Sequence, residues 1–135
     1  MADEHAWMKI SQDIALRNEK GEILILKHAK SGKWLLAGGR LNKDEGWFEG
    51  LKREVKEEIG TDDFKITGII RVADWTLGDD PHYGVFFTGS ISSDTEIVLS
   101  PEHIEYTWVK SKEDIDGFVF WHPDLKKMVL GLFPD

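Results

Sequence analysis

The segment from Asp44 to Ile59, closed by Gly60, reads as a helix with a glycine stop, and nearly everything around it reads as strand. "NEKGEILILKHA" is a turn at Asn18 to Gly21 followed by a strand from Glu22 to Lys27. The apolar-rich piece Asp13 to Arg17 can pair with it as a hairpin. "KWLLAGGRL" is a short strand running into a double glycine, and "FKITGIIRVADWTL" is β-rich, with Gly68 placed for a bulge or bend. "HYGVFFTGSI" is a further strand, and "HIEYTWVK" alternates Ile104, Tyr106 and Trp108 on one face. Two shorter helical signals follow. Ser111 caps a turn, with Asp114 three residues on and Gly117 ending it. Pro123 opens a segment with Leu125, Met128, Val129 and Leu132 at helical spacing. A helix interleaved with strands must bury its apolar stripe on a sheet, so the expected class is α/β (α+β) with a mixed sheet. No linker, repeat or low-complexity tract interrupts the chain, which reads as one domain over residues 1–135.

Charge narrows the function. With 25 acidic against 17 basic residues, the net charge of −8 argues against a nucleic-acid partner and against an anionic membrane surface. It does not exclude an anionic substrate, because a bound divalent cation inverts the local field. The absence of cysteine rules out disulfides, thiolate zinc sites and cysteine nucleophiles. "MADEHAWMKI" lacks the basic-then-apolar pattern of a secretory leader, and no apolar run approaches the ~18 residues of a membrane span. The expectation is a cytoplasmic protein.

On a wheel at about 100° per residue, Phe48, Leu51, Val55 and Ile59 share one apolar arc. Glu54, Glu57 and Glu58 are expected on the shoulder of that arc, with Glu49, Lys52, Arg53 and Lys56 on the far side. Glutamates crowded against a buried stripe are costly unless protonated or neutralised by a metal. Such hard oxygen ligands suit Mg²⁺ or Mn²⁺ rather than zinc. A solvated helix face carrying an ordinary Arg53–Glu57 ion pair is the competing reading. Upstream, Gly38 and Gly39 follow a strand, where paired glycines let backbone come close to a ligand. A plain turn would also explain them.

The spacing between these features resembles the signature of the Nudix hydrolase family. Gly39 is followed by "RLNKD", Glu45, "GWFEGLK" and then "REVKEEIG", Arg53 to Gly60. Only the last position departs, where Thr61 stands for an aliphatic residue. The resemblance implies a mixed sheet between helices, with loop–helix–loop at residues 38–61. It implies that Glu54, Glu57 and Glu58 bind divalent metal, with the Gly38 carbonyl as a further ligand. It also implies that Glu54 and Glu57 orient or deprotonate water, that Arg53 holds the glutamates, and that Glu45 is an outer carboxylate. Many family members carry another metal-binding or basic residue in a late loop before a tryptophan strand, a place filled here by Glu102 and His103 in "PEHIEYTW".

For substrate, the implied class is a small nucleoside diphosphate linked to another moiety, a sugar nucleotide or a nucleoside triphosphate, cleaved by water at phosphorus. "GGRLNKDE", "PHYGVFF" and "EHIEYTW" resemble the GDP-mannose mannosyl hydrolase branch, in which a late-loop histidine is the base and attack falls on the sugar carbon. His103 and His82 sit at matching places, but the retained Glu54 and Glu57 favour phosphorus. Gly39 and Arg40, directly at the double glycine, are candidates to meet phosphate, and Trp75 and His82 to meet base or sugar, Trp75 because the flanking "LGDDPHY" reads as a polar loop. A non-catalytic nucleotide-binding module on the same fold is the alternative of another class. An isomerase of the isopentenyl-diphosphate type would need the cysteine this chain lacks. A homodimer is compatible with all of these readings.

Overall fold

A computed structural model describes residues 4–134. Seven strands form one mixed sheet: β1 (Lys9–Arg17), β2 (Ile23–His28), β3 (Trp34–Leu35), β4 (Ala37–Arg40), β5 (Lys65–Leu77), β6 (Asp80–Ser90) and β7 (His103–Val109). The helices are α1 (Trp47–Ile59), α2 (Lys112–Ile115) and α3 (Pro123–Leu130). β1 is the hub. It pairs parallel with β6 along its whole length, antiparallel with β4 over Ser11–Ile14, and antiparallel with β2 where Arg17 meets Ile23. β2 carries β3 and β7, and β5 forms a long hairpin with β6.

Period-two alternation explains why the sheet lies between helices. Ile14, Leu16, Leu24 and Leu26 point to one side and join Leu51, Val55 and Ile59 of α1. Ala15, Ile23 and Ile25 point to the other and join Ile115 and Val129 of α2 and α3. The run "ILIL" is continuous because both of its faces are buried. Gly60 ends α1 in the left-handed conformation, φ 85°, its N–H donating to the Lys56 carbonyl. Ser111 accepts from the Asp114 N–H, and Pro123 stands in the first turn of α3. The pairing of β5 with β6 slips between Ile66 and Gly68, the bulge expected at that glycine.

Three expectations need correction. The long helix begins at Trp47, not Asp44. Asp44 has φ 62°, which no helix accommodates, and the Glu45 carboxylate is bound to the Asn42 N–H, so this stretch is a folded loop. Phe48 does not join the buried stripe: it is half-exposed and lies under the Lys52 ammonium. The segment around "LGDDPHY" is not an open polar loop. Leu77 pairs with Asp80 across a tight turn with Gly78 at φ 61°, so Trp75 and His82 are opposed residues of a hairpin.

Candidate active site

The double glycine sets the geometry. In the β1–β4 pairing Gly38 lies opposite Asp13 and Gly39 opposite Gln12. A Cβ on Gly38 would strike the Gln12 carbonyl and come within 2.6 Å of the Asp13 carboxylate, and one on Gly39 would strike the Glu54 carboxylate. Backbone and acid groups therefore meet at a separation only glycine permits. Gly38→Ala should cost about 3 kcal/mol in urea unfolding, through φ 148° and the clash together. Gly21→Ala is the control, since Gly21 has φ 80° but open space around it, and about 1 kcal/mol is expected there.

The three box glutamates have three different environments. Glu58 is 5% exposed, and its Oε1 accepts from the Gly38 N–H at 2.6 Å. Burial pushes its pKa up to about 9; the Gly38 hydrogen bond opposes this, while Glu54, Asp13 and Glu102 add repulsion. Glu54 is partly buried and also raised, first by burial, with Arg53 pulling the other way. The Glu57 side chain is 58% exposed. Arg53 ties the set together. Its Nε and Nη2 grip both Glu45 oxygens at 2.6 and 3.0 Å, and its Nη1 reaches Glu54 at 2.9 Å and Glu57 at 3.2 Å. Its Nη2 also donates to the Arg40 carbonyl at 3.2 Å. These bonds hold the Glu45 carboxyl below its ordinary range.

The late loop closes on Glu58. The Ser100 N–H donates to the Glu58 carbonyl, and the Ala29 N–H donates to the Glu102 carbonyl. His103 begins β7 and is buried, its Nε2 3.4 Å from Glu58 Oε2, while Glu102 beside it is exposed. One ligand atom from each of Glu58, Glu102 and His103 fits within 4.8 Å of the others, a spacing that can hold a metal ion. Burial pushes the His103 imidazole down, Glu102 resists this and His28 adds to it, and its Nδ1 is buried without a hydrogen-bond partner.

Sequence reasoning missed Asp13 and His28. The Asp13 carboxyl is raised to about 7, first by burial and then by the charge of Glu54. An acid inside an otherwise apolar strand, "DIAL", was the available signal. His28 ends β2 with its ring edge-on both to His103, at 6.3 Å, and to the exposed indole of Trp121, at 5.2 Å. The substrate candidates Arg40, His82 and Trp75 stand on β4, β6 and β5. Trp75 stacks on His82 at 5.5 Å, and His82 is buried with neither ring nitrogen hydrogen-bonded. Asp80 is held low chiefly by its hydrogen bond and ion pair with Lys9, with smaller electrostatic contributions from His82 and Arg40. The Arg40 and Glu102 side chains point to solvent.

A loop–helix–loop that stacks glutamates against a glycine pair defines the class, and the sequence comparison agrees. The NUDIX domain model matches residues 8–127, and the chain belongs to that family and is a Nudix hydrolase. It is 27% identical over 121 residues to a protein named nucleoside triphosphatase NudI from Klebsiella pneumoniae, covering 76% of this chain and 82% of that one. The match to the Escherichia coli O139:H28 protein of the same name, also 27% identical, spans 64% of its length. A crystal structure of a MutT protein from Methanosarcina mazei Go1 superposes with a TM-score of 0.76 at 34% identity, covering 93% of this chain and 92% of that one. None of the described helices is long and apolar enough to cross a membrane.

Proposed function

We propose that the chain is a metal-dependent pyrophosphohydrolase of small nucleoside di- or triphosphate derivatives, with water attacking phosphorus. The observation that carries this reading is an acid cluster that its neighbours only partly compensate. Asp13, Glu54 and Glu58 are crowded together in a partly buried space, and the pKa of each is raised. Such a cluster is a strained arrangement for a protein alone and a fitting one around a cation. Glu58 and Glu102, with Glu54, Glu57 and the Gly38 carbonyl, would hold Mg²⁺ or Mn²⁺, and His103 adds a nitrogen that Mn²⁺ accepts readily. Bound there, the cation would neutralise the diphosphate and make water a better nucleophile.

The remaining work belongs to side chains. Arg53 fixes Glu54 and Glu57, either of which can orient or deprotonate the attacking water. Arg40 is free to meet phosphate, and Trp75 with His82 offers an aromatic wall. His103, kept neutral by burial, would serve as base in the alternative, attack at a sugar carbon. Its Nε2 faces Glu58 rather than open space, which favours a supporting role in phosphorus chemistry.

The test is hydrolysis in ¹⁸O water with Mg²⁺, over nucleoside triphosphates, ADP-ribose and sugar nucleotides. Label in a phosphate product is expected, with nucleoside triphosphates first in the ranking because of the relatives' name. Label in the sugar would overturn the mechanism, and no turnover of any compound would overturn the substrate class.

A further inference from the structure

The sheet face that packs α1 is not fully covered by it. The indole of Trp47, in the first turn of α1, stacks on Phe87, ring centroids 5.5 Å apart and 14° from parallel. Beyond it the same face carries Ile69, opposite Phe87, then Val72 opposite Val85, then Asp74 opposite Tyr83. Ile69 is 62% exposed and Trp47 52%, and Phe48, Val72 and Tyr83 are each at least two-fifths exposed. Among the described residues, nothing pairs with the outer edge of β5, so nothing covers this shelf from the side. A contiguous apolar shelf of this kind marks an interaction surface more often than idle exterior.

Its charges choose the occupant. At one end the Lys52 ammonium stands 5.4 Å from the Phe48 ring centroid, and at the other Asp74 stands beside Tyr83. Neither makes an ion pair among the described residues. A patch with a cation at one end and an anion at the other is complementary to itself under a two-fold rotation. We propose that the shelf of Trp47, Phe48, Ile69, Val72 and Tyr83 is a homodimer interface, in which Lys52 of each copy meets Asp74 of the other. None of these shelf residues, nor Lys52 or Asp74, belongs to the acid cluster of Asp13, Glu54 and Glu58, and Trp47 and Phe48 put the first turn of α1 in the interface.

Sedimentation of the full chain from ~1 to ~100 μM tests this, across the range where a modest apolar interface associates. Wild type should reach the dimer mass. Val72→Lys should stay monomeric with an unchanged circular dichroism spectrum and unchanged basal hydrolysis. Lys52→Asp and Asp74→Lys should each weaken association ~10-fold or more, and the double swap should restore it. A wild type that remains monomeric throughout overturns the proposal. So does a dimer that is indifferent to Val72→Lys, or one in which the double swap is no better than the single changes.

Discussion

Glu58→Gln is expected to lower hydrolysis by ~10³-fold and, without metal, to raise thermal stability at alkaline pH. The second half follows from burial. An ordinary glutamate ionises near 4.5, whereas Glu58 in the fold holds its proton up to about 9. Between those values the folded protein binds a proton that the unfolded chain has released. Stability of the metal-free protein therefore falls as pH rises through that window. Asp13, raised from 3.8 to about 7, adds a slope of the same sign over its own lower window. Glutamine keeps the acceptor for the Gly38 N–H and removes the titration. The variant's melting temperature should thus exceed wild type by several degrees at pH 9 and match it near pH 4. Added Mg²⁺ should flatten the wild-type curve, because a cation displaces the same proton. Calorimetry across pH with and without Mg²⁺ reads all of this. Parallel curves for the two proteins would mean that Glu58 is ionised in the metal-free fold. Near-normal turnover by the variant at saturating Mg²⁺ would remove Glu58 from the site.

Much of the fold was legible because its determinants are local. The "ILIL" run, the bulge at Gly68 and the glycine stop at Gly60 are each fixed by backbone sterics or by period-two burial within a few residues. The difference between Glu57 and Glu58 was half legible. At about 100° per residue Glu58 falls about 60° from the centre of the Leu51–Val55–Ile59 stripe and Glu57 about 160° from it, so the expectation that Glu57 lies beside the stripe is wrong, and its side chain is 58% exposed. Not legible was the partner of Glu58, which the position of β4 supplies through the Gly38 N–H. Asp13 was hidden for the same reason. Alternation puts it on the face of Ala15, away from the one that packs α1, and its closeness to Glu54 and Glu58 follows from the β1–β4 register that sets it opposite Gly38. His28 touches His103 only because β2 and β7 pair across many intervening residues, with a register shift between Lys27 and His28. Trp75 was misplaced through turn chemistry. Gly-Asp between Leu77 and Asp80 reads as loop composition, yet it closes a two-residue hairpin turn.

Arg53→Lys should reduce hydrolysis ~10²-fold and stability by about 2 kcal/mol, although charge is conserved. The guanidinium is a planar fork, and here every tine is used. Nε and Nη2 hold Glu45, Nη1 spans Glu54 and Glu57, and Nη2 also meets the Arg40 carbonyl. An ammonium is a single point and cannot grip Glu45 while also restraining Glu54. The arginine side chain is 26% exposed and Glu45 16%, so the loss should fall below that of a fully buried pair. Double-mutant cycles separate the branches. Arg53→Lys with Glu45→Gln should show a coupling of about 1–3 kcal/mol in urea unfolding. Arg53→Lys with Glu57→Gln should show little, since Glu57 is largely in water. Activity should divide the other way: Glu45→Gln should act mainly on stability, whereas Glu57→Gln should raise the Mg²⁺ concentration needed for half-maximal rate. Equal coupling on both branches, or a lysine variant with wild-type rate and stability, would mean that the fork does not organise the acid cluster.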